Sequence, residues 1–316
     1  MADHELLIPH PYSSESKATL ESELAGLNGA SVTVAETPAE TRAGFETATV
    51  ALTPRLPPEW RDRADRLEWA QATSAGYDHY DLAALEEADI VLTTAAGVHA
   101  QPIAEQVLGS MLTFERELLT ARDQQNESVW RRTEGGELAS KTVGIVGLGA
   151  IGGRVAELSA AVGSTVIGTK RDLSTVPEAV DDAYPADEVD EVLRRADYLV
   201  LACPLTDETR GLIDESALET MPEDAVLVNV ARGGVADEAA LTEGLQQGRI
   251  AGAALDVFEE EPLPASSPLW DLSNVLVTPH MAGSTPQYYE RVAAIVRENY
   301  ERFVADDREE MTNRIV

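Results

Sequence analysis

Short apolar runs at the period of a β-strand alternate with stretches of helical period along almost the whole chain, the pattern of an α/β fold with parallel sheets. In the first third, Leu6 to Pro9, Ser31 to Ala35, Thr47 to Thr53, Arg66 to Ala72 and Ile90 to Thr94 read as strands. Residues 100 to 122 read as one long helix, because Ile103, Val107, Leu108, Met111, Leu112 and Leu118 recur at helical spacing and Pro102 falls in the first turn. From Thr142 the runs become nearly continuous: TVGIVGLG, STVIGT, YLVLAC, AVLVNVA, AGAALDV and NVLVTP. Strands of this kind are buried on both faces. Residues 285 to 303 read as a closing helix. At 316 residues the chain exceeds the usual single-domain size. We therefore expect two doubly wound parallel-sheet domains, residues 1–98 with 283–316 and residues 99–282, joined by hinges near Gly97 and Ala282 with a cleft between them.

The segment TVGIVGLGAIGGRVAEL gives the second domain a chemistry. It sets Gly147, Gly149 and Gly152 in G-x-G-x-x-G spacing directly after a strand and at the opening of a helix. Gly147 permits the tight turn, Gly149 lets the backbone approach a pyrophosphate, and Gly152 allows the helix to pack closely on the sheet. Amide groups at the start of that helix hold the anion, so Leu148, Ala150 and Ile151 join the glycines in the expected cofactor loop. Residues 99–282 thus read as a Rossmann-type dinucleotide-binding domain, and the flanking one as a flavodoxin-like substrate domain. The next strand, STVIGT, ends in Lys170 and Arg171, about where an NAD-specific protein carries an acid for the ribose 2′-hydroxyl. Two cations there would pair with a 2′-phosphate. NADP(H) is the expected cofactor and NAD(H) the alternative; the competing reading is a solvated basic loop in which Asp172 takes the acid's place.

Composition narrows the setting. The net charge is −32, from 56 acidic against 24 basic residues, and only Lys17, Lys141 and Lys170 are lysines. Self-repulsion of that size weakens a compact state in dilute buffer, but at about 1 M salt the Debye length falls to roughly 3 Å and the penalty shrinks. An acidic surface adapted to high salt is the expectation, a merely acidic mesophilic protein the alternative. Such a surface repels phosphate backbones and argues against nucleic acid as a partner. No apolar run approaches the roughly 20 residues of a membrane span, and the start MADHELLIPHPY lacks the features of a secretory signal. The expected location is cytoplasmic. One cysteine, Cys203, excludes an intrachain disulfide, and five scattered histidines give no metal-ligand spacing, so no metal is expected.

Three later segments, VNVARGGVADEAAL, AALDVFEEEPLP and VTPHMAGST, each join an apolar strand to polar residues at its carboxyl end. Those ends line the ligand crevice of an open parallel sheet, which places Arg232, Asp256, Glu261 and His280 as candidates near a reactive ring. With GLGAIGGRVA upstream and CPLTDETRGLI between, the segments resemble the D-isomer-specific 2-hydroxyacid dehydrogenase family. The resemblance is dense from Gly97 to Thr285 and thinner in the first domain, where TSAGYDHYDL and AAGVHAQPIAEQVLG carry it.

The resemblance implies a reversible, NAD(P)H-dependent reduction of small 2-oxo acids to D-2-hydroxy acids by hydride transfer, with Arg232, Glu261 and His280 as catalytic residues. Glu261 is preferred to Glu259 and Glu260 because the family's acid directly precedes a proline, here Pro262. It further implies that Asp256 anchors the carboxamide, that Cys203, Pro204, Val230, Ala231 and Gly283 border the cofactor, and that Ala75 and Gly76 offer backbone amides to the substrate carboxylate beside Tyr77. A homodimer is implied too, with Trp130 of ESVWRRT at the partner subunit or else in the core. The physics agrees with the catalytic roles. A guanidinium can grip a carboxylate and stabilise charge developing on the C2 oxygen. An imidazolium can donate a proton to that oxygen, and a neighbouring carboxylate orients it. A glyoxylate/hydroxypyruvate reductase would use the same residues. A phosphoglycerate dehydrogenase fits less well, because many carry a C-terminal regulatory domain. Outside the enzymes, a dinucleotide-sensing corepressor is the alternative.

Overall fold

The computed structural model describes residues 4–77 and 79–316. The chain divides into two compact units, Met1–Val98 with Thr285–Val316, and His99–Ser284. No helix among the described residues is long and apolar enough to cross a membrane.

The first unit is built on five parallel strands, β1 (His4–Ile8), β2 (Ala30–Val34), β3 (Val50–Thr53), β4 (Trp69–Ala72) and β5 (Val91–Thr93), in the order β2-β1-β3-β4-β5. Four helices connect them: α1 (Ser14–Leu24), α2 (Pro38–Phe45), α3 (Pro58–Arg61) and α4 (Leu82–Glu87). Alternation along the strands sorts the core into two faces. Leu6, Ile8, Val50, Leu52 and Trp69 meet Leu20 and Leu24 of α1 and Val292, Val296 and Phe303 of the C-terminal helix Tyr288–Val304. Leu7, Ala51, Ala70 and Leu92 face Phe45, Trp60 and Leu85 instead. The strands β3 and β4 begin later than the apolar pattern suggests, and the closing helix begins at Tyr288 rather than Thr285. The order reverses between β1 and β3, which makes the carboxyl ends of those strands the site end of the sheet.

The second unit carries α5 (Ala100–Glu115) and α6 (Leu118–Asn126), then β6 (Thr142–Val146), α7 (Ala150–Ala161), β7 (Thr165–Lys170) and β8 (Asp182–Pro185). It continues with α8 (Val189–Leu193), β9 (Tyr198–Leu201), α9 (Glu215–Thr220), β10 (Val226–Asn229), α10 (Glu238–Gln247), β11 (Gly252–Leu255) and β12 (Val275–Val277). All seven strands are parallel, ordered β12-β11-β10-β9-β6-β7-β8, and the order reverses between β6 and β9. Ile103, Val107 and Met111 of α5 cover one face with Val155 and Ala156 of α7; Val192, Leu218, Leu241 and Leu245 cover the other.

Two expectations are corrected here. The helix read over residues 100 to 122 is two helices, broken at Arg116 and Glu117, where Glu117 takes φ 56°. The Glu115 carbonyl accepts from the Gly136 amide at 2.8 Å, and the Arg116 guanidinium donates to the Gly136 carbonyl at 2.7 Å. A returning loop therefore takes over hydrogen bonding at the break, and apolar periodicity is blind to it. Strand β8, sequence DAYP, had no apolar signature because among the described residues it is an edge strand paired with β7 alone, and it is closed by a proline. The core alternative for Trp130 also falls, since its side chain is 99% exposed.

Candidate active site

The glycine turn follows from the close approach of β6, β7 and β9. Gly147 adopts φ 99°, and a Cβ there would stand 2.9 Å from the Cys203 backbone. The amides of Gly147 and Leu148 donate to the Thr169 carbonyl at 3.3 and 3.0 Å, folding the turn back on β7. A Cβ at Gly152 would sit 2.1 Å from the Gly147 carbonyl oxygen, so only glycine lets α7 start this close to the strand. A Cβ at Gly149, the cap of α7, would meet no atom within 4 Å among the described residues beyond its immediate neighbours and helix backbone. Ala150 beside it is exposed, Ile151 half-buried and Leu148 buried. A twelve-residue helix thus opens its amide end toward an accessible backbone turn, the donor set an anionic pyrophosphate requires.

At the end of β7, Lys170 is half-buried and its ammonium donates to the Thr175 carbonyl at 2.6 Å, while Arg171 is exposed. Asp172 is turned to local work: its carboxylate accepts from the Ser174 hydroxyl at 2.7 Å and the Ser174 amide at 3.0 Å. Those bonds, the hydroxyl first, hold its carboxyl below the usual range, with Lys170 adding to the effect. Cys203 is buried, which pushes its thiol up, and the Pro204 carbonyl accepts from Thr209 at 2.6 Å.

Arg232, Glu261 and His280 line one cavity of about 630 Å³ within the second unit, together with Arg210, Gly233 and Phe258. Arg232 follows β10 after the buried Val230 and Ala231, and its guanidinium donates to the Ala231 carbonyl at 2.6 Å. A Cβ at Gly233 would stand 1.9 Å from the Phe258 carbonyl carbon, so the turn after Arg232 rests directly on the turn leading to Glu261. The imidazole Nδ1 of His280 lies 2.6 Å from one Glu261 oxygen, and the other accepts from the Phe258 amide at 3.0 Å. Burial raises the Glu261 carboxyl, but the bonds from His280 and Phe258, with the charge of Arg232, outweigh it and leave it below its usual range. With Nδ1 engaged, Nε2 is the ring nitrogen left to meet a reacting atom.

His280 takes φ 49°, a left-handed conformation uncommon outside glycine. Asp256 imposes it. Its buried carboxylate accepts from the Thr278 hydroxyl at 2.6 Å and from the amides of Met281 and Ala282, each at 2.9 Å, while its carbonyl accepts the His280 amide at 2.8 Å. The Gly283 carbonyl pairs with His99 Nδ1 at 3.1 Å, and a Cβ at Gly283 would stand 2.8 Å from that nitrogen.

A sequence profile described as "D-isomer specific 2-hydroxyacid dehydrogenase, NAD binding domain" matches residues 108–282. The chain belongs to the D-isomer specific 2-hydroxyacid dehydrogenase family. Among its relatives, a D-3-phosphoglycerate dehydrogenase of Methanocaldococcus jannaschii is 36% identical over 76% of this chain, which spans only 46% of that protein. A glyoxylate reductase of Aeropyrum pernix is also 36% identical, over 80% of this chain and 78% of its own length. Among solved structures, an NADPH-dependent glyoxylate/hydroxypyruvate reductase from Sinorhizobium meliloti, in complex with NADP and sulfate, is 30% identical with a TM-score of 0.78 over 99% of this chain and 98% of that one. The family's reaction class is the NAD(P)H-dependent reduction of 2-oxo acids.

Within this member, two bracing residues escaped the sequence reading. Asn229, buried at the end of β10, accepts from the Ala231 amide at 3.0 Å and donates to the Arg232 carbonyl at 3.2 Å. Thr278 ties Asp256 to the loop that carries His280. The only available signal was a polar residue closing an apolar strand. In the first unit, Ala75, Gly76 and Tyr77 are exposed in the turn after β4, and their three amides have no hydrogen-bond partner among the described residues.

Proposed function

We propose that this protein is an NADP(H)-preferring dehydrogenase that interconverts small 2-oxo acids and D-2-hydroxy acids. The observation that carries this reading is the gathering of Arg232, Glu261 and His280 around one cavity at the carboxyl end of the second sheet. When bound, the dihydronicotinamide supplies the hydride. Arg232 grips the substrate carboxylate and stabilises charge growing on the C2 oxygen. Nε2 of protonated His280 delivers the proton to that oxygen, and in the oxidative direction the neutral ring removes it. Glu261 holds the ring through Nδ1. The amides of Ala75, Gly76 and Tyr77, which have no hydrogen-bond partner among the described residues, are donors for the substrate carboxylate.

The turn Gly147–Gly152 holds the pyrophosphate. Lys170 spends one of its three donors on Thr175 and retains two for a 2′-phosphate, with Arg171 beside it. The occupation of the Asp172 carboxylate by Ser174 favours this over an acid facing the ribose. Asp256 acts first on the loop of His280, with remaining lone pairs for the carboxamide. The exposed Val129 and Trp130 support an apolar contact with a second copy of the chain, and the charge supports a salt-adapted protein.

The test follows the near-ultraviolet absorbance of NADPH and NADH with glyoxylate, hydroxypyruvate, pyruvate and longer aliphatic 2-oxo acids. Sustained consumption, faster with NADPH, is expected. Activity confined to glyoxylate and hydroxypyruvate would make it a reductase of the kind found in Aeropyrum pernix and Sinorhizobium meliloti. Binding without turnover would overturn the proposal in favour of a dinucleotide sensor. Lys170→Asp should move the preference toward NADH; an unchanged ratio would refute the 2′-phosphate assignment.

A further inference from the structure

The turn that carries the amides of residues 75 to 77 is held at its root by two tyrosines far apart in sequence. Thr73, the residue after β4, is buried. Its hydroxyl pairs with the Tyr12 hydroxyl at 3.0 Å, and its carbonyl accepts from the Tyr288 hydroxyl. Its amide donates to the Thr53 carbonyl at 3.3 Å, and that carbonyl also accepts the Tyr80 hydroxyl at 2.7 Å. The two grips come from separate elements, the segment after β1 and the first residue of the C-terminal helix. The tyrosines are themselves braced ring to ring: Tyr289 stands edge-on to Tyr12 at 5.9 Å and to Tyr288 at 5.1 Å. Burial raises Tyr12, Tyr80 and Tyr288 above the ordinary phenol range, so all three remain protonated at working pH.

Beyond Thr73 the turn closes on itself. The Ser74 hydroxyl donates to the Gly76 carbonyl at 2.8 Å, the Ser74 carbonyl accepts the Ala95 amide at 2.9 Å, and the Tyr77 carbonyl accepts the Tyr80 amide at 2.9 Å. Each end of the turn is therefore fixed, while the amides of residues 75 to 77 point at no protein acceptor among the described residues. The aim of three N–H donors depends on the backbone orientation at Thr73. That carbonyl belongs to the peptide leading into Ser74, and it is the group Tyr288 grips.

We propose that Tyr12 and Tyr288 are positioning residues for substrate: through Thr73 they aim the 75–77 amides at the carboxylate of the 2-oxo acid. The proposal rests on the dehydrogenase reading and on the carboxylate role of that turn. Tyr288 also lies just beyond the point where the chain leaves the second unit, in the same stretch of sequence as His280.

The test is steady-state kinetics of Tyr12→Phe, Tyr288→Phe, Thr73→Val and Thr73→Ser, with melting temperatures and NADPH affinity measured alongside. Phenylalanine keeps the ring packing and removes only the hydroxyl. The expected result is a KM for the 2-oxo acid raised about 5- to 20-fold in both Phe variants, with kcat and NADPH affinity within about twofold of the parent, since tenfold corresponds to a single hydrogen-bond-sized loss. Thr73→Ser should behave as the parent. Thr73→Val should match Tyr12→Phe, and the two combined should be no worse than either alone, because both delete one link. An unchanged KM in both Phe variants of an active enzyme would overturn this inference and leave the dehydrogenase reading intact. A parallel fall in melting temperature, kcat and NADPH affinity would reduce the tyrosines to fold stabilisers. A parent enzyme without turnover on any 2-oxo acid would overturn both.

Discussion

A histidine in a left-handed backbone conformation is a costly arrangement, and at His280 the surroundings show why it persists. Asp256 holds the Thr278 hydroxyl before the ring and the backbone at and after it, and Glu261 holds the ring itself. His280→Gln should lower kcat/KM by roughly 100- to 10,000-fold while leaving NADPH affinity unchanged, as removal of a general acid does; near-parental turnover would remove the role. Glu261 gives a pH signature of known sign. Its carboxyl is lowered in the folded state, so its stabilising effect is fully present above the ordinary value of about 4.3 and is lost as pH falls through the depressed one. Thermal unfolding of Glu261→Gln against the parent should therefore differ at neutral pH and converge in acid; a constant gap would contradict the pairing. Arg232, Asp256 and His280 stood out as candidates because each follows an apolar strand, whereas Glu261 was separated from Glu259 and Glu260 only by the family resemblance, as the acid before Pro262. Asn229, Thr278, Tyr12 and Tyr288 did not stand out. They act through hydrogen bonds set by tertiary contact, which leave no spacing in the sequence.

Among the elements, the glycine turn and α7 separate two functions that a motif merges. A methyl group at Gly152 would collide with the Gly147 carbonyl, whereas one at Gly149 would meet no packing neighbour among the described residues. Gly152→Ala should lower both melting temperature and NADPH affinity. Gly149→Ala should keep the melting temperature and weaken NADPH alone, because it narrows only the approach to the backbone. Equal effects on stability would show that both glycines serve packing. Most elements could be read from the chain because strands buried on both faces announce themselves as continuous apolar runs. Strand β8 and the break between α5 and α6 could not, since one lies at a polar edge and the other is imposed by Gly136 from a distant loop.

Across the whole molecule the dominant quantity is charge. Sixteen ion-pair contacts occur among the described residues, mostly exposed, and pairs of that kind add little individually. They leave most of the 56 acidic side chains uncompensated by the 24 basic ones. Dialysis from molar to low salt should therefore cost activity and circular dichroism together; full retention in dilute buffer would remove the salt-adapted reading. The first unit is also discontinuous. Its C-terminal helix packs on α1, and the last residues run beside β5, where the Ile315 amide donates to the Leu92 carbonyl at 2.8 Å. During synthesis, the dinucleotide-binding unit has all its strands once residue 284 leaves the ribosome, whereas the unit begun first must wait for residues 285–316. The unit whose first strands precede the second unit in chain order is thus completed only after it, and until then one face of β1 and its neighbours lacks the apolar cover of Val292, Val296 and Phe303.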